Sequence, residues 1–134
     1  MTDVYTPLSD RTCIAPGART VVSVNLPATA GSYLVPIPFR GRLVHCQTSV
    51  VVAIGATNAV TLTLNKEAGG TALGVAVIAG SSAVGTEDLM TLTAGATDDT
   101  MTIDNQDICC TVSGTQTDGN YNAFLCFEHA RTSG

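Results

Sequence analysis

Apolar residues recur at every second position along most of this chain, the period of a β-strand with one buried face. The densest such signal is residues 33–54, YLVPIPFRGRLVHCQTSVVVAI. Pro36 and Pro38 fall in its first half. Proline donates no ladder hydrogen bond, so a strand over 33–39 is expected at a sheet edge or as a strand end. Phe39 is its most plausible core anchor. Arg40, Gly41 and Arg42 read as an exposed turn. In the run from 41 to 54, Val44, Cys46, Thr48, Val50, Val52 and Ile54 share the more apolar parity and are expected to face the core. That leaves Leu43, His45, Gln47 and Ser49 outside. The run is long for one strand, which predicts a bulge near Thr48 or Ser49.

The same period continues on both sides. In RTVVSVNL (19–26), Val22, Val24 and Leu26 share a face, and PATAGS (27–32) is a loop. AVTLTLN (59–65) directs Val60, Leu62 and Leu64 inward, and GATN before it predicts a hairpin with the preceding strand. KEAGGT is a second turn, with Gly69-Gly70 suited to positive φ. ALGVAVI (72–78) is expected to place Leu73, Val75 and Val77 on one face. LMTLT (89–93) is a short strand or a helical turn, and Met101 and Ile103 point inward. DNQD is a tight turn before ICCTVS, where Ile108, Cys110 and Val112 share a face. GTQTDG predicts a last hairpin, with Asp118-Gly119 as its turn pair. Tyr121, Ala123, Leu125 and Phe127 are inward on the final strand. Eight or nine strands at this spacing, with no convincing helix and no βαβ pattern, predict an all-β fold. The expected architecture is an antiparallel β-sandwich or jelly roll at 19–129, with an extended N-terminal arm at 1–18 and a C-terminal tail at 130–134. The arm has scattered Pro and Gly, and Val4, Tyr5 and Leu8 are isolated apolar anchors suited to lying on a partner.

Composition adds a reason to expect a partner. Charged residues make up 13% of the chain, about half the usual share of roughly 25%, and mean hydropathy is positive. Low charge on many β faces favours an oligomer or assembly. Net charge is −5, and the one basic cluster is Arg40 with Arg42. Phosphate contacts need clustered Lys and Arg, so direct nucleic-acid binding is not expected. Neither is a membrane span, since no segment approaches the roughly 20 apolar residues a spanning helix needs. The segment MTDVYTPLSD has no basic n-region and no apolar h-region, so folding in the cytoplasm is expected.

The five cysteines, Cys13, Cys46, Cys109, Cys110 and Cys126, form no CxxC and no zinc spacing. They read as small packing residues. A disulfide between chains, or between the strands of Cys46 and Cys126, stays open. Only His45 and His129 offer an imidazole base, and no nucleophile signature accompanies them. The acidic pairs Glu87-Asp88, Asp98-Asp99 and Asp104 with Asp107, together with Asp118, suit solvated turns better than a calcium loop. The chain therefore reads as no enzyme, with no cofactor and no metal.

One layout is familiar. An early strand precedes an apolar segment ending in Pro38-Phe39-Arg40-Gly41. A Thr/Val-rich strand at 60–64 and a Gly-Gly turn follow, then Gln106-Asp107-Ile108 and an Asp-Gly turn before an aromatic strand. From about 19 to 127 this resembles small tailed-bacteriophage capsid decoration, or cement, proteins. The resemblance implies a jelly-roll virion protein, commonly a homotrimer. It would bind the major capsid protein on the outside of the head and stabilise contacts between capsid subunits. Val4, Tyr5, Leu8, Arg40 and Arg42 are the expected contacts. The expected location is the capsid surface of a virion, after synthesis in the host cytoplasm. Two other readings remain. One is a receptor- or glycan-binding module of a tail fibre. The other is a further structural component such as a head–tail adaptor or head-fibre attachment protein.

Overall fold

The computed structural model describes residues 18–55, 58–93 and 99–129. Ten strands occur there: β1 (Arg19–Pro27), β2 (Gly31–Pro36), β3 (Arg40–Val52), β4 (Val60–Lys66), β5 (Ala72–Ile78), β6 (Glu87–Leu89), β7 (Thr91–Leu92), β8 (Thr102–Asp104), β9 (Asp107–Ser113) and β10 (Asn120–His129). They form two antiparallel five-stranded sheets. Sheet A runs β1-β10-β3-β6, with β8 also pairing β3, and sheet B runs β2-β9-β4-β5-β7. The pairs β1·β10, β2·β9, β3·β8 and β4·β5 are nested, as in one long ribbon rolled up. That nesting makes the sandwich a jelly roll.

The core is the set of inward residues between the sheets. Tyr121, Ala123, Leu125 and Phe127 on β10 are fully buried, as are Leu62 and Leu64 on β4 and Ile108 and Cys110 on β9. Met101 and Ile103 join them. Phe39 packs its ring edge-on to Phe127 with centroids 5.4 Å apart, a favoured aromatic geometry. These positions follow the alternation in the sequence. β2 is an edge strand ending at Pro36, as a proline there requires.

Several local expectations are overturned, and bulges account for those on β3 and β5. Against β10, Leu43 pairs Phe127 and His45 pairs Cys126, leaving Val44 as an extra residue; Val51 is a second extra residue between Val50 and Val52. The bulges thus flank Thr48 and Ser49 instead of falling on them. Each extra residue flips side-chain parity. Leu43 is consequently buried, Val44 half-buried and Val52 exposed, while His45 stays outside. On β5, Leu64 pairs Gly74 and Asn65 pairs Ala72, so Leu73 is the extra residue. Leu73, Ala76 and Ile78 are buried, while Val75 and Val77 are 40% and 54% exposed. Gly74 has no side chain because Met90 fills that space: a Cβ there would lie 2.9 Å from Met90 Sδ.

Two further corrections concern hairpins. β3 belongs to sheet A and β4 to sheet B, so the chain changes sheets between these two strands. The same holds for β9 and β10. The connection there turns at Gly119 (φ 97°), where a Cβ would come within 2.6 Å of Ala53 O. Gln116, buried, ties the two crossings together by donating from Nε2 to the carbonyls of Gly55 (3.2 Å) and Asn58. Residues 89–93 are likewise not one strand. Met90 is the crossing point between β6 in sheet A and β7 in sheet B, and its N–H donates to Cys46 O at 2.9 Å. The β4–β5 connection is a hairpin as expected, with Gly69 at φ 77°.

Removing the Phe127 ring leaves a cavity that β1 and β3 cannot close. Phe127→Ala should lower the urea unfolding free energy by about 3–5 kcal/mol. Val21→Ala, on the exposed face of β1, should change it by less than about 0.5 kcal/mol.

Candidate interaction surfaces

The outer faces of the two sheets differ in chemistry. On sheet A, Glu128 of β10 lies in register with Arg19 on β1 and Arg42 on β3. Arg42 Nη2 donates to Glu128 Oε1 at 2.7 Å, and Arg19 Nη2 lies 4.0 Å from Oε2. Further along, Asn25 Nδ2 donates to Asn122 Oδ1 at 3.0 Å and to Asn120 Oδ1 at 3.2 Å. Phe124, half-buried, sits between Ser23 and Gln47. His45 and Cys126 are neighbours across β3 and β10.

Sheet B presents no charge across its width. One register row runs through all five strands: Ser32, Thr111, Thr63, Val75 and Thr91. The adjacent row is Ser113, Thr61 and Val77, and on the other side lie Leu34, Cys109 and Asn65. Leu34 is 57% exposed. Charge enters at one end of the face, at Asp107, the first residue of β9. A β-branched and hydroxyl face without Lys, Arg, Asp or Glu lacks the usual means by which a solvated sheet resists association.

The expected contact residues fall in different places. Val4, Tyr5 and Leu8, together with Cys13, lie outside the described residues. Arg40 and Arg42 do not form an exposed turn. They open β3, where register pairs Arg40 with Asp104 and Arg42 with Glu128. Arg40 Nε lies 3.8 Å from Asp104 Oδ2. Both guanidinium groups therefore have carboxylate partners within the fold. The sheet B face was hidden in the sequence because its valines depend on the Leu73 bulge.

The groups that could carry chemistry are dispersed. His129, the last residue of β10, is buried: its Nε2 and Thr20 Oγ1 are 2.6 Å apart, and its ring packs against Phe39 with centroids 4.7 Å apart and planes tilted by 43°. His45 is exposed on the opposite side of sheet A from the core. Among the described residues no three His, Cys, Asp or Glu side chains group as metal ligands. Cys46 and Cys126 lie on opposite faces of sheet A, one buried and one half-buried, so a disulfide between them is ruled out.

The core thiols are inert by environment. Burial, reinforced by neighbouring Cys110, pushes the Cys46 thiol up to about 12. Burial and Cys109 push Cys110 up to about 12 as well. The Tyr121 phenol is raised in the same way, first by burial and then by Cys110. Its hydroxyl has no hydrogen-bond partner among the described residues.

No protein-family model and no curated protein sequence matches the chain. Among solved structures the chain is similar to one described as "Bacillus endospore appendages form a novel family of disulfide-linked pili". That match has 14% identity and a TM-score of 0.45, and covers 84% of this chain and 88% of that one. It is also similar to CsCBM6-3 from Clostridium stercorarium in complex with cellobiose, with 13% identity and a TM-score of 0.41. Here 87% of this chain and 89% of that one are covered. Both likenesses are loose, and the jelly-roll assignment rests on the strand order.

Two outcomes follow for the thiols. In the native protein at pH 8, a maleimide should modify Cys126 while sparing Cys46, Cys109 and Cys110, read by peptide mass spectrometry with and without urea. The Cys46 and Cys110 thiols ionise near 9.0 when unfolded and at about 12 when folded. Their contribution to stability is complete below pH 9 and falls as pH rises toward 12. Cys46→Ala with Cys110→Ala should therefore flatten the alkaline decline in unfolding free energy.

Proposed function

We propose that the chain is a structural subunit of a virion, a capsid decoration protein that binds the outside of a phage head and stabilises contacts between major capsid subunits. The observation that carries this reading is the uncharged outer face of sheet B. A decoration protein has to exchange a hydrated surface for a protein surface at many equivalent sites. A rigid sheet bearing Thr, Ser and Val can do so without desolvating charge. Each contact adds little alone, and repetition over the shell multiplies it. The low overall charge supports the same use. Arg40 and Arg42 already have carboxylate partners, so the weight of the contact falls on Leu34, Val75 and Val77.

A second reading is a glycan-binding module. It draws on the sheet A face, where the Asn25, Asn120 and Asn122 amides lie on the same face as the half-exposed Phe124 ring. Amides supply directional hydrogen bonds and a ring supplies a stacking surface, both of which suit a sugar. A glycan array separates the two readings.

The test uses undecorated heads assembled from the major capsid protein of a phage that carries this chain. Purified protein should cosediment with them to saturation. Val75→Glu with Val77→Glu should weaken binding about ten-fold or more, equivalent to about 1.4 kcal/mol or more, with thermal stability unchanged. Absence of cosedimentation, or a double variant that binds as well as the parent, defeats the reading.

A further inference from the structure

The edges of the two sheets are not alike. β2 ends in a proline, β6 and β8 have three residues each, and β7 has two. Short edges and prolines are the usual means of blocking strand addition. β1 has neither. It runs for nine residues, meets proline only at its last position, and pairs β10 without a bulge. His129 N–H donates to Ala18 O at 2.8 Å, so the even-numbered residues of this strand turn their backbone groups toward β10. The odd-numbered ones, Arg19, Val21, Ser23 and Asn25, turn theirs outward. Among the described residues those outward groups have no backbone partner. Beneath them, Val22 and Val24 point into the sandwich yet remain half-exposed at its lip.

We propose that β1 is a self-association edge, on which β1 of a second copy of this chain pairs antiparallel about a two-fold axis through Ser23. The strand itself selects that register. Ser23 is the middle of Arg19–Pro27, so centring there pairs the full length. Ser23 is also an outward-facing residue, so the two copies exchange backbone hydrogen bonds at the axis. Val21 then meets Asn25 of the second copy, and Val22 meets Val24, which closes the lip of both cores. Arg19 faces Pro27 and no like charge. The missing proline N–H falls at the end of the ladder, where it costs least. Sheet A becomes one continuous sheet across the pair. This inference does not rest on the capsid reading.

Light scattering on the full chain should show a reversible species at twice the 13.7 kDa chain mass. Exchange protection of the Val21, Ser23 and Asn25 amides should rise with protein concentration. Ser23→Pro removes an outward N–H without touching a bond to β10, and should give a monomer with an unchanged circular dichroism spectrum. If that variant misfolds, a charge pair decides. Val21→Lys with Asn25→Lys places like charges opposite each other and should dissociate the dimer, while Val21→Lys with Asn25→Glu should restore it. Four results overturn the proposal. They are a monomer up to about 1 mM, protection of these amides that is independent of concentration, a trimer or open-ended polymer, and a dimer indifferent to both charge variants.

Discussion

The pairing of the last strand between the first and third holds the whole molecule together. β10 lies in sheet A with β1 on one side and β3 on the other, and its four inward side chains are fully buried. Until β10 is in place, Val22, Val24, Leu26, Cys46 and Val50 have no continuous sheet to belong to. The register Arg19↔Glu128 joins residues more than a hundred positions apart. Loop-closure entropy opposes such a pairing until the sandwich is nearly formed. The nested ribbon resolves this physically. Closing β4 on β5 brings β9 toward β4 and β2, and each closed pair shortens the loop that the next one must close.

Single extra residues then decide which surfaces are apolar. A β-ladder has period two, so one bulge moves every later side chain to the other face. Leu73 does this on β5. It keeps Ala76 and Ile78 in the core and turns Val75 and Val77 outward. Val44 and Val51 do it on β3, where Leu43 and Cys46 both reach the core although their positions differ in parity. The interior is a jigsaw of small and large residues, with Met90 occupying the room that Gly74 leaves. The outer consequence is a five-stranded face whose register rows carry no charge, beside a second sheet that bears the Arg42–Glu128 and Arg40–Asp104 pairs.

The described residues thus offer surfaces of three kinds: the uncharged plane of sheet B, the amide-bearing plane of sheet A, and the outer edge of β1, which pairs no other described strand besides β10. Each is presented by a rigid ladder and not by a mobile loop, which lowers the entropy lost on association. The two histidines lie in different settings, and the core thiols are held neutral by burial.

Much of this was legible in the chain itself, because burial on one face writes a period-two pattern into every strand. The inward residues of β1, β4, β9 and β10, the edge position forced by Pro36, and the β4–β5 turn at Gly69 follow from residues near one another in sequence. The sheet to which a strand belongs does not. The turn before β4 and the turn before β10 look like hairpin turns, yet both carry the chain across the sandwich, because a short polar connection serves either path. Bulge positions were equally hidden, since an extra residue is defined only against its partner strand. The candidate face on sheet B depends on both, so its valines read as core until pairing placed them outside. Arg40 and Arg42 show the converse. Alone they look like free basic groups, and only the register with Asp104 and Glu128 supplies their counter-charges. Local alternation therefore determined what this protein is built from. Long-range pairing decided which of those residues it shows to others.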